Sequence, residues 1–301
     1  MKLAAIDIGS NAARLLITDV SVDDKNKASF NKITLIRVPL RLGFDVFDTG
    51  RISDKRIEML LNTMKGFSNL TKAFEVKALK ACATSAMRDA SNTDEIIPMI
   101  KQETGIEIEV ISGGDEASFV FENHIAENLD KEHSYLYIDV GGGSTELTFF
   151  SNNNLVFKDS FNIGTIRLLQ NAVTEATWNE MKENIKIKIK GHKQVTAIGS
   201  GGNINKVFTL SKRKDGKPLP LELLRDFYKE LSNVSLQDRI NIYKLREDRA
   251  DVIVPAIQIY VNVMRWAGAT EIYVPRIGLA DGLVQHLWEE EKNKNEKGEK
   301  L

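Results

Sequence analysis

Short apolar runs alternate along this chain with glycine-bearing turns and stretches of helical spacing. Residues 3–8 (LAAIDI) and 14–20 (RLLITDV) pattern as two strands joined by Gly9-Ser10-Asn11. Residues 34–41 (TLIRVPLR) pattern as a third, which Pro39 places at a sheet edge or near the strand's end. Residues 42–53, with Gly43 and Gly50, pattern as a loop. Ile57, Leu60, Leu61, Met64 and Phe67 recur at helical spacing and predict a helix over 54–74, with Ser53 as its N-cap. A strand over 77–83 leads through Thr84, Ser85 and Arg88 to a helix capped by Asn92 or Thr93 and stopped by Gly105. Residues 106–111 alternate as a strand, and Ser112-Gly113-Gly114-Asp115-Glu116 opens a helix through Asn128.

The second half follows the same plan. Residues 135–150 (YLYIDVGGGSTELTFF) are strand, glycine turn and strand, and a further strand over 155–160 follows an asparagine turn. A turn at Gly164 enters a helix carrying Arg167, and an amphipathic helix with a basic outer face covers 178–190. A strand over 194–198 closes on Gly199-Ser200-Gly201-Gly202-Asn203 before a helix from Ile204. Residues 211–220 (SKRKDGKPLP) make a basic loop, most simply a solvated one. Helices over 221–231 and 235–245 precede an apolar helix over 252–266, expected to be buried. A strand over 271–275 leads to a closing helix that begins near Ile277, and the polar tail from Glu289 is expected to fray.

The two glycine hairpins say nearly the same thing. IDIGSNAARLLI and IDVGGGSTELTF align Asp7 with Asp139, Gly9 with Gly141, Asn11 with Gly143 and Arg14 with Glu146. The offset from Asp7 to Asp139 is a domain's length, far beyond the roughly 20–50-residue period of a solenoid. It predicts a duplicated α/β domain: one lobe over 1–125 and a second over 126–301, with the final helix from about 283 packing back on the first. Two facing hairpins would enclose an interlobe cleft, a favoured place for ligands. A glycine turn lets backbone N–H groups approach an anion and accepts positive φ, and Asp139 and Glu146 add oxygens that suit a hard divalent cation. An ordinary Gly-rich hairpin would explain one such turn, but the repetition argues against it.

Other candidates are weaker taken singly. Arg88 and Arg167 stand in small-residue turns, where a guanidinium makes either a two-pronged phosphate grip or a surface ion pair. Asp115 and Glu116 in a first helical turn complement the helix dipole, or place a carboxylate that takes a proton from water; local sequence does not decide. The Gly199–Asn203 turn would present N–H groups to a phosphate or nucleotide, but its spacing departs from the dinucleotide and P-loop fingerprints.

Composition narrows the class. With 301 residues there is room for two domains, and a net charge of −1 offers no bulk field for nucleic acid. A single cysteine, Cys82, excludes an intramolecular disulfide and fits a reducing compartment. With no secretory apolar segment and no membrane-length apolar run, the expectation is a cytoplasmic protein without membrane or nucleic-acid partners. The four histidines are scattered, and HExxH, CxxC and GxSxG are absent, so zinc or serine-nucleophile chemistry has little support.

AIDIGSN, ATSAMRDASN, ISGGDEA, YIDVGGGSTEL and IGLADGLV occur in order between about Ala4 and Leu287. In combination this set resembles the exopolyphosphatase and guanosine pentaphosphate phosphohydrolase family of the sugar kinase, heat-shock ATPase and actin superfamily. The resemblance implies two ribonuclease H-like lobes and hydrolysis of a terminal phosphoanhydride, of inorganic polyphosphate or of pppGpp, assisted by Mg²⁺ or another divalent cation. It implies that Glu116 activates water, that Asp139 and Glu146 hold metal and water, and that Gly141, Gly142, Gly143 and Ser144 cradle phosphate. Asp7, with the metal, and Ser10 and Asn11, with phosphate, match the first loop, and Arg88 matches the family's phosphate-gripping arginine; Arg41 fits a further basic contact, and Arg167 in its glycine turn is a second candidate phosphate ligand read from the residues alone. The chain departs from the family pattern at Ala12, Asp115, Ala280 and the GSGGN turn. The longer members' extra helical region is expected to be absent or its channel rebuilt by a homodimer. Polyphosphate is favoured over pppGpp because a short form leaves no obvious guanine pocket. An ATP-using kinase and a non-catalytic polyphosphate or alarmone sensor are the rival readings.

Overall fold

Two sheets organise the chain. The computed structural model describes residues 1–24, 27–121, 133–152, 154–192 and 194–296. They fall into two units, Met1–Asn123 with Leu279–Leu301, and His124–Gly278.

In the first unit, β1 (Lys2–Ile8), β2 (Ala13–Val22), β3 (Ala28–Val38), β4 (Ala78–Ala83) and β5 (Ile108–Val110) lie in the order β3-β2-β1-β4-β5. β1, β2 and β3 are antiparallel, while β1, β4 and β5 are parallel. Successive side chains of a strand face opposite sides. Ala4, Ile6 and Ile8 therefore pack under α2 (Asp54–Ala73) and α4 (Thr93–Thr104), with Leu60, Met64, Phe67, Ile96 and Ile100. Leu3 and Ala5 meet Ala280, Leu283, Val284 and Leu287 of α13 (Leu279–Glu296) on the other face. Burial on both faces is why β1 is a continuous apolar run rather than an alternating one. Ala280, where the family pattern has an arginine, lies on that buried face.

The second unit repeats the topology. β6 (Ser134–Val140), β7 (Thr145–Ser151), β8 (Asn154–Phe161), β9 (Val195–Ser200), β10 (Leu219–Pro220) and β11 (Glu271–Tyr273) take the order β10-β11-β9-β6-β7-β8. Strands β8-β7-β6-β9-β11 reproduce β3-β2-β1-β4-β5, with β10 added antiparallel at the edge. The core is closed by α7 (Glu175–Ile189), α8 (Gly202–Leu210), α9 (Leu221–Ser232) and α12 (Ile253–Ala267), the last buried as its composition predicts.

Several elements differ from expectation. Residues expected as a loop form α1 (Leu42–Thr49), because Leu42, Gly43 and Val46 are buried and left-handed Gly50 closes the helix by donating to Val46 O. β3 begins at Ala28, not residue 34, since only Ala28 and Phe30 of its early residues pack inward and the polar residues beside them leave no apolar run. Ser53 precedes α2 without capping it; its hydroxyl donates to Asp45 Oδ2 at 2.5 Å. Asn92 does not cap α4; its amide brackets Ile52 N–H and C=O, both at 3.0 Å. The tail expected to fray from Glu289 is helical through Glu296, with Glu291 buried and paired to Lys294 Nζ at 2.7 Å. The helix expected through Asn128 is seen as α5 (Gly113–Phe121), and the rest of that expectation lies outside the described residues. Among the described residues no helix is long and apolar enough to cross a membrane.

A Cβ on Gly282 of α13 would lie 1.8 Å from Phe119 O and 2.4 Å from its carbonyl carbon, in α5. Helix propensity alone favours alanine over glycine by about 1 kcal/mol. The backbone collision outweighs it, so Gly282→Ala is expected to destabilise the protein by about 1–3 kcal/mol in urea unfolding. An unchanged or raised midpoint would show that α5 gives way freely.

Candidate active site

Both glycine turns close by the same hydrogen bond: Gly9 N–H donates to Ala12 O at 3.1 Å, and Gly141 N–H to Ser144 O at 2.9 Å. Each turn then meets the start of a helix. In the first unit Arg41 N–H donates to Asn11 O (3.0 Å) and Gly43 N–H to Ser10 O (2.8 Å), at the N-terminus of α1. In the second, α6 (Thr165–Leu169) supplies Thr165 N–H to Gly141 O (3.0 Å) and Ile166 N–H to Gly142 O (2.9 Å). Arg167 Nε adds a bond to Gly143 O at 2.8 Å. First-turn N–H groups of a helix lack intrahelical partners, and here the turn carbonyls satisfy them.

That arrangement fixes where the turn's own donors point. In a trans peptide the C=O and the following N–H face opposite ways. With the carbonyls of Gly141, Gly142 and Gly143 bound from behind, the N–H groups of Gly142, Gly143 and Ser144 face the other side. Three successive donors of this kind suit an anion. By the same geometry Asn11 and Ala12 turn their N–H groups away from α1.

The cradle glycines do not take the positive φ expected of them, and the close backbone contact falls at Gly164. Among the described residues the left-handed glycines are Gly50, Gly105, Gly191, Gly201, Gly216 and Gly268, and the three of the cradle are not among them. Close packing is the constraint: a Cβ on Gly164 would lie 2.4 Å from Gly142 O and 2.5 Å from the carbonyl carbons of Gly142 and Gly143. Thr145 Oγ1, donating to Ile163 O at 2.5 Å, ties the strand to the same clamp. Neither Gly164 nor Thr145 was singled out by sequence as a site residue, and the signal available was the Gly164 turn itself.

Charge separates the two hairpins. Asp7 stands opposite Arg14 in the β1–β2 ladder and is ion-paired to it. At the corresponding positions Asp139 stands opposite Glu146. Glu146 is buried and accepts from Ser160 Oγ at 3.0 Å. Directly opposed like charges are destabilising, and a divalent cation would offset them. Among the described residues no group of three or more His, Cys, Asp or Glu side chains could hold a metal. Two carboxylates nevertheless fit Mg²⁺, which keeps several waters and completes its shell with substrate phosphates.

Tyr260 supports this corner from α12. Its hydroxyl donates to Ser200 O, and burial first, then the Asp139 carboxylate, hold the phenol well above its ordinary pKa, so it stays a donor. Gly201, at φ 102, brings backbone close enough that a Cβ would sit 3.0 Å from Asp139 Oδ1. Tyr260 had no motif to mark it, only a phenol in an apolar helix that needs a partner.

The acidic pair on α5 divides at the helix cap. Ser112 Oγ accepts from Asp115 N–H at 3.1 Å, and Asp115 Oδ2 accepts from Ser112 Oγ at 2.6 Å and its N–H at 3.3 Å. This is a reciprocal capping box, so the helix-end explanation belongs to Asp115. Half-buried Glu116 follows it. Arg88, on α3 (Ser85–Asp89), donates to Ile111 O at 3.1 Å just before that cap. Ser85 Oγ in turn lies 2.8 Å from Ser10 Oγ. Arg41 sits at φ 56, unusual for a non-glycine residue, with its guanidinium 4.0 Å over the Phe44 ring. Thus Asp7, Ser10, Asn11 and Arg41 share the first turn, and Arg88 links it to the α5 end that carries Glu116. Asp139, the glycines, Ser144, Glu146 and Arg167 share the second.

Gly164→Ala would force α6 off the turn and misdirect its donors. We expect tripolyphosphate affinity, by calorimetry, to fall roughly tenfold, the equivalent of one lost charge-assisted hydrogen bond. Undiminished affinity would remove the cradle from anion binding.

The structure is similar to the crystal structure of the Aquifex aeolicus member of the Ppx/GppA protein family, with a TM-score of 0.74 and 26% identity over 96% of this chain and 98% of that one. The bifunctional 3-dehydroquinate synthase/phosphatase of Fusobacterium nucleatum is 34% identical over 191 residues, 62% of this chain and 29% of that protein. Exopolyphosphatase 1 of Mycobacterium bovis is 29% identical over 155 residues, 49% of this chain and 42% of that protein. The matched stretches thus span less than half the length of either curated relative. The model of the Ppx/GppA phosphatase family matches residues 21–291, nearly the whole chain, and with the duplicated turns and sheet order this establishes that the chain belongs to that family.

Proposed function

We propose that this protein hydrolyses the terminal phosphoanhydride of inorganic polyphosphate. The observation that carries the reading is the amide-lined turn of Gly142, Gly143 and Ser144, with its carbonyls bound by α6 and Arg167. Such a turn recognises phosphate oxygens and asks nothing of a base or sugar. Phosphoryl transfer needs alignment of water with phosphorus and donors placed where negative charge accumulates, and little covalent chemistry from the protein.

Glu116 is assigned to the attacking water. As the bond from water oxygen to the terminal phosphorus forms and the bridging P–O bond breaks, its carboxylate takes the proton, and the shortened chain leaves. In the first unit Ser10 and Asn11 are assigned to phosphate oxygens, with Arg88 and Arg41 to offset their charge; in the second the turn amides take phosphate oxygens and Arg167 shapes the turn. Asp139 and Glu146 would hold Mg²⁺; Asp7 already has Arg14 as its counter-ion. Such a cation supplies charge neutralisation on the phosphate oxygens.

Phosphate release on long polyphosphate, tripolyphosphate, pppGpp and ATP, measured side by side in Mg²⁺, tests the reading. Release from polyphosphate is expected. Preference for pppGpp would make the protein a guanosine pentaphosphatase, ATP-dependent transfer a kinase, and tight binding without release a sensor. Glu116→Gln should lower turnover roughly 10²–10⁴-fold with binding retained, and unchanged turnover removes Glu116 from the mechanism.

The carboxylate pair has a test independent of turnover. In chelator, Glu146→Gln should raise stability by about 0.2–1 kcal/mol, because it relieves like-charge repulsion. Added Mg²⁺ should then stabilise the wild type and not the variant, read as unfolding midpoints. Equal Mg²⁺ response in both would place the cation elsewhere.

A further inference from the structure

The second unit holds a concentration of positive charge that these roles leave unused. The loop between α8 and β10 carries Lys212, Arg213, Lys214 and Lys217, all exposed, and exposed Arg276 follows β11. Asp215 is the single acid in that loop, and Arg276 pairs with it at 3.0 Å. Five cations thus gather with one anion in a chain whose net charge is −1.

The loop is built rather than slack. Ser211 Oγ donates to Phe208 O at 2.6 Å and accepts from Arg213 N–H at 3.3 Å. Lys217 N–H closes a turn on Lys214 O at 3.1 Å, with Gly216 left-handed at φ 79. Lys212 and Arg276 are also left-handed, at φ 53 and 58, a conformation that non-glycine residues rarely adopt. Arg276 lies 5.3 Å over the Phe208 ring.

Strand register places this cluster. Tyr273 of β11 is level with Ile198 of β9, which is level with Tyr137 of β6. Two residues further along β6 comes Asp139, and Arg276 follows the end of β11 by three residues, on the carboxyl side of the parallel strands. β10 runs antiparallel, pairing Leu219 with Ile272, so the residues before Leu219 extend along the same edge. The Gly141–Ser144 turn leaves β6 at this edge. With only β9 between β6 and β11, two strand spacings separate them, about 10 Å.

We propose that Arg213, Lys214, Lys217 and Arg276 form a second anion subsite, which holds a polyphosphate chain beyond the phosphates in the glycine turn. The inference rests on the polyphosphate reading above. A linear polyanion leaving the turn along this edge meets the cluster within a few units, whereas tripolyphosphate ends before it. The loop carries no aromatic ring on which a nucleic-acid base would stack. The subsite therefore confers preference for long chains through affinity, with the chemical step unaltered.

The test compares the full chain with the variant Arg213→Gln/Lys214→Gln/Lys217→Gln. Calorimetry is run with long-chain polyphosphate, tripolyphosphate and an RNA homopolymer across about 50–200 mM salt. The variant is expected to bind long chains roughly tenfold more weakly at low salt. Its log–log salt slope should be shallower by about two, near 0.7 for each contact removed, with tripolyphosphate affinity unchanged. Equal long-chain affinity and slope in the two proteins would overturn the proposal. So would loss of RNA binding with polyphosphate binding intact, which makes the loop an RNA surface. The double variant Lys214→Gln/Lys217→Gln, lying in an exposed turn, gives the same reading with an intermediate loss if the triple variant does not fold. Absence of phosphate release by the wild type would defeat the hydrolase reading alone, because the binding comparison still decides the subsite.

Discussion

Everything at the two turns depends on their carbonyls being bound from behind by a helix start. A glycine-rich turn in isolation has many conformations, and its N–H groups point in as many directions. Bonds from Thr165, Ile166 and Arg167 to three consecutive carbonyls select one conformation, and peptide planarity then aims the donors. The clamp needs backbone against backbone, which is why Gly164 has no room for a side chain. The helix start gains as well, since its unpartnered N–H groups find acceptors without a capping side chain. The first unit solves the same problem with α1, and there the residue at the helix entry is Arg41 in a left-handed conformation.

Duplication kept the backbone and changed the electrostatics. The register partners Asp7–Arg14 and Asp139–Glu146 occupy equivalent rungs of equivalent ladders, yet one sets a carboxylate against a guanidinium and the other sets two carboxyl groups against each other. A neutral pair holds a hairpin together, and an acidic pair needs a cation or a donor to persist there. Ser160 supplies part of that need, and Tyr260 stays protonated under the combined effect of burial and the Asp139 charge. A similar division occurs on α5. The shorter carboxylate of Asp115 closes the helix cap, which accounts for one acidic residue and leaves Glu116 outside that cap.

Much of the architecture follows from local pattern. The strands flanking both turns, the helices α2 and α12, and the repeat that relates the units could all be read in the chain, because period-2 and 3.6-residue burial leaves a periodic trace. Element ends and short helices were less legible. α1 contains one glycine, is stopped by another and lies where loop composition predominates, and only its buried Leu42 and Val46 and the Gly50 stop betray it. The end of α13 looked like a frayed polar tail, because a single buried Glu291 does not make a pattern.

The sequence by itself determined which residues form the hairpins, that the hairpins are two copies of one unit, and which carboxylates and arginines accompany them. Composition and spacing carry that information because covalent order places those groups within a few residues of one another. Tertiary structure alone decided what the groups do: that Asp7 has a counter-ion and Asp139 an opposing carboxylate, that Gly164 is pressed against Gly142, that Tyr260 reaches Ser200, and that a basic loop shares the sheet edge with the glycine turn. Each of these contacts joins residues brought together by strand pairing or helix packing. Such distances depend on register and on the path of the chain through the sheet, and no local periodicity encodes them.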